Sequence, residues 1–352
     1  RPAASPLSEL APFQTFYAEG REVVVNRIDL DTRALETWRF CPACTHSERD
    51  ALTRGDEACP KCGSDMWSDK GQAIETIQMR TVVAKRRESE ASIRDADERR
   101  TRRFVEKMFP SYADEAVTEA WSTPADTETP FGFEFIANCE FRHVNFGEER
   151  EVPSSTMVSG DRLRTWPFRI CSSCGTLQTG SRDPEHPGDH QSRCKAIRAE
   201  KPRAEWEREI VLMRRFSTEA LRIVMPIAGA ANDDEIKSFT AAIDLGLRKR
   251  FAGKVDHIRS TIVEEPLDDR STMRSLYLYD SIPGGSGYLR QIARRPEDLR
   301  RVLEAARDAL RDCTCAKEDT AALRDGCHAC VKTYRAQFGR GVPSRCLADV
   351  LM

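Results

Sequence analysis

The sequence predicts an α+β fold in which small β-rich units precede a layered α/β domain. Two aromatic strands each run into a Cys-x-x-Cys pair, at Cys41 and at Cys171, which is typical of small units closed by a metal. After residue 205 the pattern becomes strand, helix, strand, strand, helix, the order expected of a layered α/β domain. Hydrophobic residues make up only 39% of the chain, so we expect another force to supplement burial.

The first predicted unit covers residues 1–80 and is β-rich. Residues 21–30 are β-branched and residues 37–40 are aromatic, and both patterns are typical of strands. From about Val82 to Phe109 the composition shifts to Arg, Glu, Asp and Ala. Because no proline or glycine breaks this run before Pro110, we predict a charged helical connector over residues 81–125, with a linker as the alternative.

The second predicted unit, residues 126–204, repeats the first arrangement. Residues 131–143 alternate apolar and polar side chains, which predicts a strand, and residues 165–170 lead into the next cysteine pair. We therefore expect a second small β-rich unit with its own metal.

The last predicted domain covers residues 205–352 and has an α/β pattern. Its predicted elements are a buried strand over residues 209–227, a helix over 233–251, strands over 255–263 and 273–279, and a long helix over 286–310. Asn232 or Asp233 is the candidate N-cap of the first helix. The predicted apolar face of that helix consists of Ile236, Phe239, Ile243 and Leu247.

The cysteines give the clearest functional signal. The chain has 13 cysteines, and two cysteines separated by two residues direct both sulfurs at one ion from a tight turn. The candidate zinc ligands are Cys41, Cys44, Cys59 and Cys62 at a first site, Cys171, Cys174, His190 and Cys194 at a second, and Cys313, Cys315, Cys327 and Cys330 at a third. We therefore predict three Zn²⁺ ions. A secreted disulfide scaffold fits less well, because the number is odd and no signal peptide is evident.

The second and third sites leave alternatives open. At the second, His186 competes with His190 as the fourth ligand, and a site with only three protein ligands would admit water and permit catalysis. At the third, His328 could replace one sulfur, although its place inside a cysteine pair favours an outward side chain. Cys139 is interpreted as an inert core thiol, and Cys346 has no predicted partner.

A glycine-rich turn over residues 283–287 joins a predicted strand to a predicted helix. Backbone N–H groups in such a turn suit phosphate, so Gly284 and Gly285 are candidate nucleic-acid contacts, with Asp280 as a possible cap of the turn. The alternative is a structural turn. It is not a P-loop, because no Gly-Lys-Ser/Thr follows.

Basic segments provide further candidate contacts with nucleic acid, although the formal charge of the whole chain is −2. The candidates are Arg86 and Arg87 in the charged connector, and Lys332, Arg335 and Arg340 near the end of the chain. Four aromatic residues, Trp38, Trp67, Trp166 and Phe168, are either stacking platforms for unpaired bases or core residues beside the metal sites.

Two motifs of the last domain together resemble a known family. The glycine-rich stretch over residues 279–287 is followed, after a helix, by Cys313-x-Cys315 and by Gly326-Cys-His-Ala-Cys330. With residues 216–226 as its entry strand, this combination is similar to the MrfA-type zinc-binding domain. That domain lies at the C-terminal end of DEAD/DEAH-box superfamily 2 helicases, including bacterial anti-phage defence helicases. The likeness covers about residues 205–350.

The resemblance implies a function that this chain does not carry out alone. It implies that the four cysteines after residue 312 are the zinc ligands of the family, and that an ATP-binding helicase motor accompanies the domain in cis or in trans. The sequence has no Walker A motif, no DEAD-type box and no other catalytic motif. Because it begins at Arg1, we expect a C-terminal piece of a longer protein, an ATP-dependent hydrolase only if a motor belongs to it.

The leading hypothesis is therefore a zinc-stabilised accessory region of a DNA helicase or translocase in bacterial DNA repair or phage defence. It would contact single-stranded DNA or a duplex junction and dock other subunits. The alternatives are a motorless zinc scaffold for protein contacts and, less favoured, a zinc hydrolase or nuclease. No apolar run approaches the roughly 18 residues that span a bilayer, so we expect no membrane partner. Cysteine pairs spaced for metal, without a signal peptide, predict a reducing cytoplasm.

Overall fold

The computed structural model describes residues 7, 11–18, 21–28, 35–50, 58–78, 82–86, 103–123, 131–150, 155–178, 189–224, 232–266, 272–317, 325–333 and 341–352. The strands are β1 (Thr15–Ala18), β2 (Arg21–Ile28), β3 (Leu35–Phe40), β4 (Ser47–Arg49), β5 (Ala73–Gln78), β6 (Val82–Arg86), β7 (Phe104–Ser111), β8 (Val117–Ser122), β9 (Gly132–Glu149), β10 (Thr156–Val158), β11 (Asp161–Leu163), β12 (Thr165–Trp166), β13 (Phe168–Cys171), β14 (Glu207–Val224), β15 (Ile258–Pro266) and β16 (Thr272–Asp280). The helices are α1 (Lys195–Arg198), α2 (Arg203–Trp206), α3 (Asp233–Arg250), α4 (Tyr288–Ala293), α5 (Pro296–Arg311), α6 (Thr314–Lys317) and α7 (Arg345–Leu351). In the described part of the chain, no helix is long and apolar enough to cross a membrane.

The chain divides into two compact units. Unit one comprises Arg1–Pro110 and Phe141–Arg215, and unit two comprises Ser111–Glu140 and Phe216–Met352. Strands β9 and β14, each 18 residues long, contribute residues to both units. The predicted division at residues 80, 125 and 204 stays a prediction.

Unit one is built mainly from strands. Strands β1, β2 and β6 form a three-stranded antiparallel sheet. Strand β3 pairs with β4 and β5, and β14 pairs with β5 in parallel and with β13 in antiparallel orientation. Two apolar clusters fill this unit, one around Ile77, Ile170 and Leu212 and the other around Phe40 and Phe109. The β-rich first part of the predicted α+β fold is confirmed.

Unit two is a sheet covered by helices. Strand β16 lies between β14 and β15 and pairs with both in antiparallel orientation. Its apolar core joins the sheet to α3, α4 and α5. All four residues of the predicted apolar face of α3 belong to this core: Ile236, Phe239, Ile243 and Leu247. The α/β layering is therefore confirmed.

Helix α3 starts where its N-cap chemistry places it. The side chain of Asn232 accepts a hydrogen bond from the backbone N–H of Glu235 at 2.9 Å, and the Glu235 side chain accepts one from the N–H of Asn232 at 3.1 Å. This reciprocal pair is a capping box, which satisfies N–H groups that the first helical turn leaves without partners. Of the two predicted caps, the structure has Asn232.

The prediction of one long helix over residues 286–310 is wrong. The segment forms two helices, α4 and α5, and the break falls at Arg294 and Arg295. Arg295 is extended, with φ −139° and ψ 120°, and Pro296 opens α5. The ring of a proline disfavours helical geometry in the residue before it, and proline lacks the N–H that would continue the preceding helix.

The predicted helical connector over residues 81–125 is also corrected. Its described residues include the three strands β6, β7 and β8. Strand β6 pairs with β2, and β7 and β8 pair with β9. Short apolar stretches within the charged sequence therefore take their conformation from pairing partners that are distant in the chain.

Candidate metal centres

The first candidate site lies in unit one, directly after β3. Its ligands are Cys41, Cys44, Cys59 and Cys62, whose sulfur atoms lie within 4.8 Å of one another. The sulfurs of Cys41 and Cys62 are 3.6 Å apart, and those of Cys44 and Cys59 are 3.7 Å apart. A zinc tetrahedron with Zn–S bonds of about 2.3 Å has S–S edges of about 3.8 Å, so this spacing fits zinc.

Backbone and side-chain hydrogen bonds hold the first site in place. The N–H groups of Ala43 and Cys44 both lie 3.4 Å from the Cys41 sulfur and donate to it. Such donors favour the thiolate form that binds metal. The Lys61 ammonium donates to the Thr45 hydroxyl at 3.0 Å and so links the loops that carry the two cysteine pairs.

The second candidate site combines three sulfurs and one imidazole. Cys171, Cys174, His190 and Cys194 place one ligand atom each within 4.8 Å of all the others. The Cys171 and Cys194 sulfurs are 3.8 Å apart, and His190 Nδ1 lies 3.7 Å from the Cys174 sulfur. For a zinc tetrahedron the S–N edge is about 3.6 Å, so this donor set fits as well.

The ring of His190 is oriented by Trp206. The two rings meet edge to face, with centroids 4.5 Å apart and an angle of 79° between their planes. Nδ1 faces the sulfurs, while Nε2 is buried without a hydrogen-bond partner among the described residues. Because four protein donors converge here, the geometry favours a closed structural site over an open catalytic one. His186 lies outside the described residues.

Two of the cysteine turns share one backbone pattern. In the turn at Cys59, the N–H of Gly63 donates to the Cys59 carbonyl at 2.8 Å, and in the turn at Cys171, that of Gly175 donates to the Cys171 carbonyl at 2.8 Å. Both glycines have φ of 70°, in the left-handed region where other residues are strained. The glycine directly after each pair, Cys62-Gly63 and Cys174-Gly175, is a sequence signal for this turn that our prediction did not use.

The third candidate site lies in unit two, after α5. Its ligands are Cys313, Cys315, Cys327 and Cys330, with all four sulfurs within 4.8 Å. The sulfurs of the Cys313–Cys327 pair are 3.5 Å apart, and those of the Cys315–Cys330 pair are 3.7 Å apart. His328 points away from the sulfurs, since its Nδ1 pairs with the Lys332 carbonyl at 2.8 Å and its side chain is exposed.

The three donor sets match three zinc ions, as predicted. Zn²⁺ takes thiolate and imidazole ligands in tetrahedral geometry, and every site here supplies four such groups. Cys139 is fully buried in β9, and Cys346 is exposed on α7. Neither belongs to the three sets.

Comparison with known proteins covers the part of the chain that contains the third site. Residues 239–331 match the family model described as MZB, the MrfA Zn-binding domain. The predicted resemblance is confirmed. All four cysteines of the third site lie within this stretch, which we call the MZB segment.

Among solved structures, the chain is similar to one described as the DUF1998 helicase MrfA bound to DNA. The identity is 10%, the TM-score is 0.41, and the match covers 99% of this chain and 30% of that one. The chain therefore spans less than a third of the length of that helicase. No curated protein sequence matches the chain.

The glycine-rich turn of the MZB segment directs its N–H groups inward. Ser286 N–H donates to Asp280 at 2.6 Å, and Gly287 N–H donates to Glu219 at 2.9 Å. Gly284 and Gly285 donate to backbone carbonyls at 3.5 and 3.0 Å. The four N–H groups of residues 284–287 thus have internal partners. The phosphate contact predicted at Gly284 and Gly285 depended on free N–H groups, and these two are already hydrogen-bonded.

Two buried carboxylates lie beneath this turn. Asp280 is 0% exposed and Glu219 is 3% exposed. Burial raises the pKa of Glu219 above its ordinary value, because the charged form loses hydration there. A Cβ atom at Gly285 would lie 2.4 Å from Glu219 Cγ, and Gly285 has φ of 82°, so only glycine fits over the carboxylate. The turn is built around these two acids.

The other predicted nucleic-acid contacts are only partly described. Arg86 ends β6, whereas Arg87, Arg335 and Arg340 lie outside the described residues. Lys332 is half-buried, and its N–H donates to the Cys327 carbonyl at 3.1 Å, so its backbone closes the third zinc turn. These contacts stay predictions.

Three of the four candidate stacking residues are buried. Trp38, Trp67 and Phe168 are 3%, 2% and 3% exposed, so they pack in the protein and offer no platform for a base. Trp166 is half-buried, with the guanidinium of Arg150 5.0 Å from its ring centroid. The core-packing alternative holds for the three buried residues.

Proposed function

We propose that this chain is a zinc-stabilised accessory region of a DNA helicase or translocase, which guides nucleic acid or docks partner subunits. The observation that carries the proposal is the match of residues 239–331 to the MrfA Zn-binding domain, together with a complete set of four zinc ligands inside that match. The motor is then supplied by another part of the same protein or by a partner.

The zinc ions have a structural role in this proposal. With four protein ligands at each site, no position is left for a substrate or a reactive water. This supports a platform that positions other molecules rather than a zinc hydrolase or nuclease. When bound, zinc crosslinks the loops of sites one and two. The apolar clusters at these two sites are small and do not supply such a crosslink themselves.

Nucleic acid is the proposed ligand of this platform. MrfA is described as a helicase bound to DNA, and we extend DNA to this chain as part of the proposal. Single-stranded DNA and duplex junctions are the forms that a strand-guiding region would meet. By the resemblance noted above, we also propose that the process is DNA repair or phage defence in bacteria.

Fluorescence anisotropy with labelled single-stranded, duplex and forked DNA tests the proposal. The zinc-loaded 352-residue chain should bind at low salt, with an affinity that falls linearly on a log–log plot as salt rises. The fork should bind at least as tightly as the duplex. A matched sample without zinc should bind more weakly, because the platform no longer holds its shape. No binding to any of the three DNAs at low salt would remove the nucleic-acid role and leave the protein scaffold.

A further inference from the structure

We propose that a basic surface of unit two, made by three neighbouring helix ends, binds the phosphate backbone of nucleic acid. This inference rests on the proposed function and goes beyond it by naming the surface. The basic surface consists of Arg248, Lys249, Arg250, Lys254, Arg290, Arg294 and Arg295. None of these residues belongs to the nucleic-acid contacts that the sequence predicted.

The fold brings these segments together. The rings of Phe251 and Tyr288 are 5.1 Å apart, which places the turn after α3 against the first residue of α4. Only Arg294 and Arg295 separate α4 from α5. Helix α5 in turn packs on the last part of α3, since a Cβ atom added at Gly246 would lie 2.3 Å from the Val302 carbonyl oxygen. The cations at the three helix ends therefore share one region.

Five of the seven cations of this region are not neutralised by the residues that the structure describes. Residues 244–257 and 288–301 carry nine Lys or Arg and four Asp or Glu, although the whole chain has a net charge of −2. Lys249, Arg250, Lys254, Arg294 and Arg295 are exposed, and none has an ion-pair partner among the residues that the structure describes. Like charges held together repel one another, so a bound polyanion would relieve a cost that folding leaves in place.

The positions of the cations relative to the helix dipoles distinguish this surface from ordinary helix capping. Cations at the end of α3 are favourable, because the C-terminus of a helix carries partial negative charge. Arg294 is the C-cap of α4, but Arg295 stands at the opposite pole, as the N-cap of α5, where a cation is unfavourable. Of the two acids in the first turn of α5, Asp298 is paired with Arg301 at 3.1 Å, and Glu297 is exposed. An anion at this point would interact favourably with both arginines and with the helix end.

The chemistry of the surface favours phosphate over an acidic protein. Five of its seven cations are arginines, whose planar guanidinium groups bind phosphate oxygens in pairs. Protein interfaces depend on apolar anchors at their centre. In the described part of the chain, the large exposed hydrophobic residues are Met66, Trp121, Ile197, Ile282, Val342 and Val350, and none belongs to the basic surface. A sequence-independent contact with a phosphate backbone fits this composition.

Charge removal tests the inference. The variant K249A/R294A/R295A, in the full zinc-loaded chain, should bind duplex and single-stranded DNA at least about tenfold more weakly at low salt. The slope of log affinity against log salt should fall by about 2 to 3, because each phosphate contact contributes about 0.7 to 0.9. The matched control K70A/R162A/R198A removes three exposed cations of unit one and should leave affinity and slope close to those of the wild type.

A charge-preserving variant and a competition experiment make each outcome decisive. The variant R294K/R295K keeps the charge and should retain most of the affinity, with circular dichroism and zinc content confirming that all variants fold. Equal losses in the triple variant and its control would show that net charge alone drives binding, and would overturn the inference. Displacement of DNA by polyglutamate at equal charge would point to an acidic protein instead and would also overturn it.

Failure of this inference is distinguishable from failure of the proposed function. If the wild type binds DNA and K249A/R294A/R295A binds it equally well, the basic surface is excluded and the proposed function stands. If the wild type binds no DNA, the basic surface and the nucleic-acid role are both excluded, and the protein scaffold is left.

Discussion

The zinc sites of unit one differ from that of unit two in what surrounds them. At site one, three cysteines and Trp67 form a small cluster of their own, and at site two the cluster consists of two cysteines, Ala196 and Trp206. At site three, Cys315 and Cys330 pack against apolar residues of α3 and α5, such as Leu245 and Leu310. At the first two sites, the ligands and one tryptophan make up most of the local core. The third site adjoins an apolar core formed by helices.

This difference shows that one ligand chemistry serves two structural purposes. A segment with one tryptophan and no aliphatic core gains most of its folding free energy from metal binding. A site beside packed helices adds a crosslink to structure that apolar burial already stabilises. Zinc is therefore expected to be essential for folding around sites one and two, and less important for the helical layer of unit two.

Complete zinc removal should give the largest effect and separates the two units most clearly. Structural zinc binding contributes about 10–16 kcal/mol in zinc-finger peptides near neutral pH. After treatment with a strong chelator, amide hydrogen exchange should rise to unfolded rates in the cysteine turns of sites one and two, such as at Gly63 and Gly175, while α3 and α5 stay protected. If α3 lost its protection before these turns did, the result would contradict the comparison.

Single ligand substitutions sharpen the comparison between site one and site three. Cys44→Ser and Cys330→Ser should each lower the zinc content by one ion. Both side chains are 1% exposed, so the two changes are matched in burial. Cys44→Ser should cost more than about 4 kcal/mol of stability in urea unfolding, as expected for loss of a structural metal. Cys330→Ser should cost less, and an equal or larger loss there would show that zinc organises unit two as well.

Removal of one aromatic side chain from the core at site two and one from the helical core of unit two tests the same comparison. Neither change alters a zinc ligand. Trp206→Ala and Phe239→Ala should each cost about 3–5 kcal/mol, as for large-to-small changes in buried sites. Trp206→Ala should also release the zinc of site two, because His190 loses the ring that orients it. Phe239→Ala should keep all three ions. Zinc analysis alongside thermal unfolding checks both, and zinc loss in Phe239→Ala would break the distinction.

The smallest expected effect concerns the buried acid beneath the glycine-rich turn. Burial raises the pKa of Glu219 in the folded state above its unfolded value, so its contribution to stability is present below the unfolded pKa and lost as pH rises through the folded pKa. Glu219→Gln keeps an acceptor for the Gly287 N–H and removes this dependence. At neutral pH the change in stability should be about 1 kcal/mol or less.

Thermal unfolding of wild type and Glu219→Gln over a series of pH values measures this effect. The difference between the two should favour the variant increasingly as pH rises. Glu304→Gln changes a half-buried residue that is paired with Arg300 on the surface of α5, and this control should show no such trend. A parallel pH dependence in wild type and Glu219→Gln would rule out the carboxylate as its source.

Much of the metal chemistry was predictable because it is local. Cysteine pairs separated by two residues form a ligand-bearing turn whatever the rest of the fold does. Helix α3 was predicted for the same reason, since its cap and its apolar periodicity lie within 18 consecutive residues. Pro296 also indicates the break before α5, and our prediction of one long helix did not take this proline into account.

The sequence by itself determined the donor atoms, since sulfur and imidazole at short spacings leave zinc few competitors. Only the tertiary structure decided where the charged segment after residue 81 finds strand partners, and where the N–H groups of the glycine-rich turn are directed. Gly287 donates to Glu219, which lies 68 positions earlier in the chain. The physical reason is that pairing and burial depend on residues brought together from distant parts of the sequence, which local patterns do not encode.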